Sequence, residues 1–149
     1  MNLDRRWWIA IAVLVVVAVA LIVNRVAFQP PQECRPVQEL LDFNQAQTEV
    51  IGSASGKSEG VPSQAEEAAY RAWADGLADR AQNVSAPDFA FTAGQVATLA
   101  DDFVEKLGTL RTQAQSRAPG APTPPVVFEM DALSTQISQK LAELSDACS

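Results

Sequence analysis

Residues 92–114 read TAGQVATLADDFVEKLGTLRTQA, and along them Val96, Leu99, Ala100, Phe103, Leu107, Leu110 and Ala114 recur at steps of three and four, apart from the adjacent Leu99 and Ala100. That spacing puts all seven on one side of an α-helix, with Asp101, Asp102, Glu105 and Lys106 off it. Thr92 is the expected N-cap, with Gln95 three residues on at the capping-box position. A helix with one apolar face needs a partner for that face, so the fold depends on what flanks it.

Downstream, after Pro124 and Pro125, Met130, Leu133, Ile137, Leu141, Leu144 and Cys148 follow at steps of three and four. Cys148 therefore continues an apolar seam. Upstream, Ser63 with Glu66 three residues later reads as a capping box opening a helix whose face is Tyr70, Trp73, Leu77, Ala81 and Val84. Further upstream, residues 35–53 set Val37, Leu40, Leu41, Asn44 and Ile51 on one stripe, with Pro36 tolerated in a first turn. The centre of that stripe is polar, with Asn44, Gln47 and Thr48 facing inward or nearly so. Stretches rich in Gly, Pro and Ser separate the four segments, and none shows strand alternation.

These features predict an all-α domain over residues 34–149, an up-down-up-down antiparallel four-helix bundle. In that topology the start of the first helix and the end of the fourth lie at the same end. Cys34 precedes Val37 by three residues and Leu41 by seven, so it too continues a seam, and the topology brings Cys34 and Cys148 together as a disulfide. Such a bond persists in an oxidising compartment, which predicts a periplasmic or extracellular domain. Two free buried thiols are the alternative.

Residues 7–23 read WWIAIAVLVVVAVALIV, free of charge, Gly and Pro. Extended to residue 28, this run covers roughly 33 Å as a helix, enough to span a bilayer. It predicts an N-terminal transmembrane anchor over residues 7–28, after a cytoplasmic tail of residues 1–6. Trp7 and Trp8 fit one membrane interface and Arg25 snorkels at the other. A cleaved signal peptide is the competing reading, but the best small-x-small cleavage match, Ala18-Val19-Ala20, falls inside the apolar run. Arg5, Arg6 and the α-amino group against Arg25 and Arg35 lean only weakly toward a cytoplasmic N-terminus, so the cysteines carry the topology. Residues 29–33, with Pro30 and Pro31, reach about 15 Å even if extended, which predicts a bundle tethered close to the bilayer.

The 149 residues carry a net charge of −7. Without Asp4, Arg5 and Arg6, 17 acidic face 9 basic residues, a balance of −8 that opposes binding to nucleic acid or anionic lipid headgroups. Histidine is absent, which removes the commonest general base and metal ligand. No C-x-x-C, phosphate loop, haem attachment site, nucleophile elbow or zinc spacing occurs. The sequence thus assigns no catalytic, cofactor-binding or metal-ligating residue, and reads as that of a non-enzyme. Glu66 with Glu67, and Asp101 and Asp102 with Glu105, read as solvated helix faces in preference to a calcium site. Tyr70 and Trp73 are core residues by spacing and alternatively line a ligand pocket. Asn44 and Gln47 either fix helix register or contact a ligand. Residues 118–125, APGAPTPP, read as a stiff connector.

An anchor without an ionisable residue between Trp7 and Val23 gives no ion pathway. The functional expectation is a membrane-anchored accessory or scaffold protein of a bacterial envelope, docking on another membrane or envelope protein. The alternatives are a small-molecule or lipid-binding domain, with a cavity around Tyr70, Trp73 and Asn44, and a phage-encoded envelope protein. Eight Arg against three Lys in an Ala- and Val-rich chain suits a high-GC bacterium or its phage.

Overall fold

Each helix starts where the chain supplies a residue that can satisfy or dispense with the free N–H groups of a first turn. In the computed structural model, which describes residues 31–55, 62–118 and 120–149, a single 3-10 turn, Gln32–Cys34, leads into α1, Arg35–Ala54, with Pro36 in its first turn. Helix α2, Gln64–Asn83, opens on the expected capping box: Glu66 N donates to Ser63 Oγ at 3.1 Å, and Ser63 N donates to Glu66 Oε2 at 3.4 Å. Helix α3 is Pro87–Gln115 and helix α4 is Pro125–Ala147, each with proline in its first turn. Among the described residues every regular element is helical.

The expected N-cap of α3 is corrected by six residues, from Thr92 to Ala86. Thr92 is not an N-cap: it lies inside the helix, 7% exposed, while the Phe89 and Ala90 N–H groups already bond the Ala86 carbonyl. Pro87 fixes φ for a first helical residue, Asp88 favours the positive end of the helix dipole, and together they begin the helix earlier. Only residues 84–86 then separate α2 from α3.

Consecutive helices run antiparallel, as their contacts show. Ser55, just past α1, has its Oγ 3.0 Å from Glu66 Oε1 in the first turn of α2. Phe43 of α1 meets Gly76 and Arg80 of α2. Glu67 early in α2 reaches Arg111 late in α3, and Lys106 in α3 pairs with Glu129 early in α4 at 2.7 Å. The bundle is closed by the expected Cys34–Cys148 disulfide, Cα–Cα 5.5 Å.

The core is built at that closed end. Val37, Leu40, Leu77, Val96 and Leu144 are all but completely buried, beside Ala81, Val84, Ala93 and Ala100. Each such aliphatic side chain contributes about 1.5 to 3 kcal/mol by leaving water. Small alanines on α2 and α3 allow those helices to approach closely. Helices α1 and α4, by contrast, touch over far less of their length than consecutive helices do. The seam between them is tied by the disulfide and open further along.

The anchor expected over residues 7–28, with Trp7, Trp8 and Arg25, lies outside the described residues, as do the tail before it and Pro30 of the link. Among the described residues no helix is long and apolar enough to cross a membrane.

Candidate binding surfaces of the helical domain

At the open part of the α1–α4 seam the sequence places a polar stripe over aromatic neighbours. Trp73 of α2 is buried, and its indole donates from Nε1 to Asn44 Oδ1 of α1 at 2.9 Å. A buried indole N–H needs such an acceptor, so Asn44 satisfies Trp73 and fixes the rotation of α1 against α2. Tyr70 and Trp73 meet edge to face, centroids 6.1 Å apart. Phe103 of α3 completes a triad, 5.2 Å from Tyr70 and 6.2 Å from Trp73.

These three rings floor a cleft of about 240 Å³. Asn44, Thr48 and Ile51 of α1 form one wall; Ser134, Ile137, Ser138 and Leu141 of α4 form the other. The expected grouping of Asn44, Tyr70 and Trp73 is therefore brought together. Gln47 is half-buried on α1 and is not among the cleft's lining residues. Thr48 is exposed, its hydroxyl donating to the Asn44 carbonyl at 2.8 Å. The polar stripe is thus a seam wall and not a layer across the core, because α1 and α4 stand apart at this level. Burial, and next the Glu66 carboxylate, push the Tyr70 phenol above its ordinary value, so it remains protonated at neutral pH.

Sequence spacing assigned Phe103 to the general core stripe and passed over Ser134 and Ser138. Their only signal was position, four residues apart and next to the Ile137–Leu141 stripe.

A second concavity lies between α3 and α4 toward the disulfide end. It holds about 680 Å³ between Ala90, Phe91, Gly94, Gln95, Thr98 and Leu99 on one helix and Gln136, Gln139 and Lys140 on the other. Phe91 is 72% exposed at its edge, and the fully buried Oε1 of Gln95 has no hydrogen-bond partner. Neither residue was singled out by periodicity, Phe91 because it falls off the apolar stripe.

Of the acidic groups, Asp101, Asp102 and Glu105 are exposed on α3, whereas Glu66 and Glu67 have structural partners. Glu66 caps α2, and Glu67 accepts from Arg111 and Arg71, each at 2.6 Å. The Arg111 hydrogen bond, partly opposed by burial and reinforced by Arg71, holds the Glu67 carboxyl below its ordinary value. Among the described residues no three acidic or sulfur-bearing side chains converge as metal ligands would. The connector at residues 116–124 is braced by Arg117, whose guanidinium donates to the Ala121 and Pro122 carbonyls. Gly120 takes a positive φ of 82° there, a conformation that favours glycine.

Comparison with known proteins finds no matching family model, no matching characterised protein and no matching solved structure.

Proposed function

We propose that this chain is a membrane-tethered accessory protein of the bacterial envelope, whose helical domain stands outside the cytoplasm and docks on another membrane or envelope protein. The observation that carries this reading is Phe91. A lone exposed aromatic is ordinary on a protein surface, but this one borders a groove in which Ala90 and Gly94 leave room for close approach. An aromatic anchor beside a shallow groove is the usual kernel of a protein interface. The disulfide supports the compartment, since it endures where thiols are not kept reduced. The uncharged run at residues 7–23 supplies the tether.

The test is affinity purification of the full-length chain from native membranes in mild detergent. A stoichiometric partner recovered with the wild type and lost with Phe91→Lys is expected. Recovery of the chain alone in several detergents, or of the same partner with Phe91→Lys, sinks the docking reading.

A second reading, that the domain holds a small molecule, is favoured by the preformed cleft at the α1–α4 seam, with its aromatic floor and hydroxyl-bearing wall.

A further inference from the structure

We propose that the α1–α4 cleft binds a small uncharged aromatic molecule bearing a hydrogen-bonding oxygen or nitrogen, of the size of a phenol or an indole. This assignment rests on the second reading above and adds the chemical class of the ligand.

Size sets the first limit. A cavity of about 150 Å³ holds benzene; the cleft's 240 Å³ accommodates one substituted ring or a fused pair. A lipid acyl chain is too long for it.

The floor sets the second. Tyr70, Trp73 and Phe103 meet one another in tilted or edge-to-face geometry at 5.2 to 6.2 Å. A guest ring extends that cluster, and an aromatic pair gains about 2- to 10-fold in affinity over an aliphatic group of equal area.

The walls set the third. The lining carries no ionised side chain at neutral pH, so a charged ligand would shed its hydration with nothing to offset the loss. The polar groups are nonetheless ready for a neutral partner. The Trp73 indole can only donate, so it holds the oxygen of Asn44 toward itself, and the amide NH₂, which bonds no other described residue, remains as a donor. Across the seam, the hydroxyls of Ser134 and Ser138 have no hydrogen bond to another described residue, whereas Thr98, Thr109 and Thr112 all bond the carbonyl four residues back. Donors from α1 and α4 therefore face one opening over an aromatic floor.

The experiment uses the full-length chain, ¹⁵N-labelled in detergent micelles, and follows the Trp73 indole N–H signal, which Trp73→Phe distinguishes from those of Trp7 and Trp8. Phenol and indole are titrated against benzoate and benzylamine, as charged rings, and cyclohexanol, as a non-aromatic of similar size. Phenol and indole should shift the signal saturably, with Kd on the order of 1 mM. Cyclohexanol should bind several-fold more weakly, and the charged rings should not bind. Ser138→Leu and Thr48→Leu, at exposed positions on opposite walls, should each abolish the shift while leaving the helical melt intact. Charged rings binding as well as neutral ones overturn the proposal, as does a shift that persists in both leucine variants. Cyclohexanol matching phenol overturns the aromatic class and leaves a small-molecule cleft standing. No saturable shift with any probe overturns both.

Discussion

Gly76 lies in the middle of α2, where alanine would ordinarily stabilise a helix by about 0.5 to 1 kcal/mol. Here the sign should reverse. A Cβ built on Gly76 would stand 2.1 Å from Cζ and 2.6 Å from Cε1 of Phe43. The ring must swing away, and its face is covered by Arg80, whose guanidinium carbon sits 3.7 Å from the ring centroid. Displacing it forfeits a cation–π contact of about 0.5 to 1 kcal/mol and, for a half-buried Phe, about 1 kcal/mol of apolar burial. Against the gain in helix propensity, Gly76→Ala should cost on the order of 1 kcal/mol net. Gly108→Ala in α3, where nothing lies within 4 Å of the added carbon, isolates the propensity gain and should stabilise. The two variants should therefore differ by about 2 kcal/mol, or roughly 6 to 10 °C in a domain of this size, in thermal melts of the disulfide-intact chain followed by circular dichroism. In a Phe43→Ala background Gly76→Ala should become stabilising. Equal melting temperatures for Gly76→Ala and Gly108→Ala, or an undiminished penalty without the Phe43 ring, would refute the assigned contact.

Cys34→Ser opens a ring spanning 114 residues of sequence, for which chain entropy gives about 5 kcal/mol; a melting temperature lower by on the order of 10 °C or more is expected, together with loss of the mobility shift between reducing and non-reducing gels. Unchanged stability and mobility would count against the bond. Asn44→Leu leaves the buried Trp73 indole N–H without its acceptor and should cost about 1 to 3 kcal/mol, read by denaturant unfolding; a stability equal to wild type would mean that water or another group takes the bond. Glu67→Gln removes a carboxylate whose folded-state pKa is depressed by Arg111 and Arg71. Such a group stabilises above its unfolded value near ~4.3 and loses that contribution as pH falls through the folded one. The wild type should melt above the variant at pH 7, and the gap should close on acidification to pH 3. A gap independent of pH would show that the ion pairs contribute nothing.

Features encoded within a few residues of one another were legible in the sequence. The Ser63–Glu66 capping box is a local exchange of two hydrogen bonds, so spacing alone identifies it. The cysteines were legible for another reason: each continues an apolar seam, and antiparallel topology needs only the order of helices, not their rotation, to bring the two together. Thr92 failed because a hydroxyl three residues before a glutamine resembles a cap wherever it occurs, while Pro87 and Asp88 had already begun the helix. Contacts set by the rotation of one helix about another were out of reach. The ring of Phe43 beneath Arg80, the Glu67–Arg111 pair and the triad's use of Phe103 all depend on interhelical angles that periodicity does not supply. The cleft itself depends on how far α1 and α4 stand apart, and no single helix records that distance.

The bond between Cys34 and Cys148 makes the backbone from one to the other a closed covalent ring, with its two ends 5.5 Å apart. Protease cleavage next to the exposed Pro122 and Thr123 would then yield two peptides that remain one molecule until reductant is added. The break would fall between α3 and α4, whose pairing is held by Lys106–Glu129 and by the shared apolar core, so a nicked domain keeps its helices in register. The same nearness of ends permits relocation of the helical domain's termini: in residues 34–148 alone, joining the two ends through a short peptide and opening the connector should give a circular permutant with the same core.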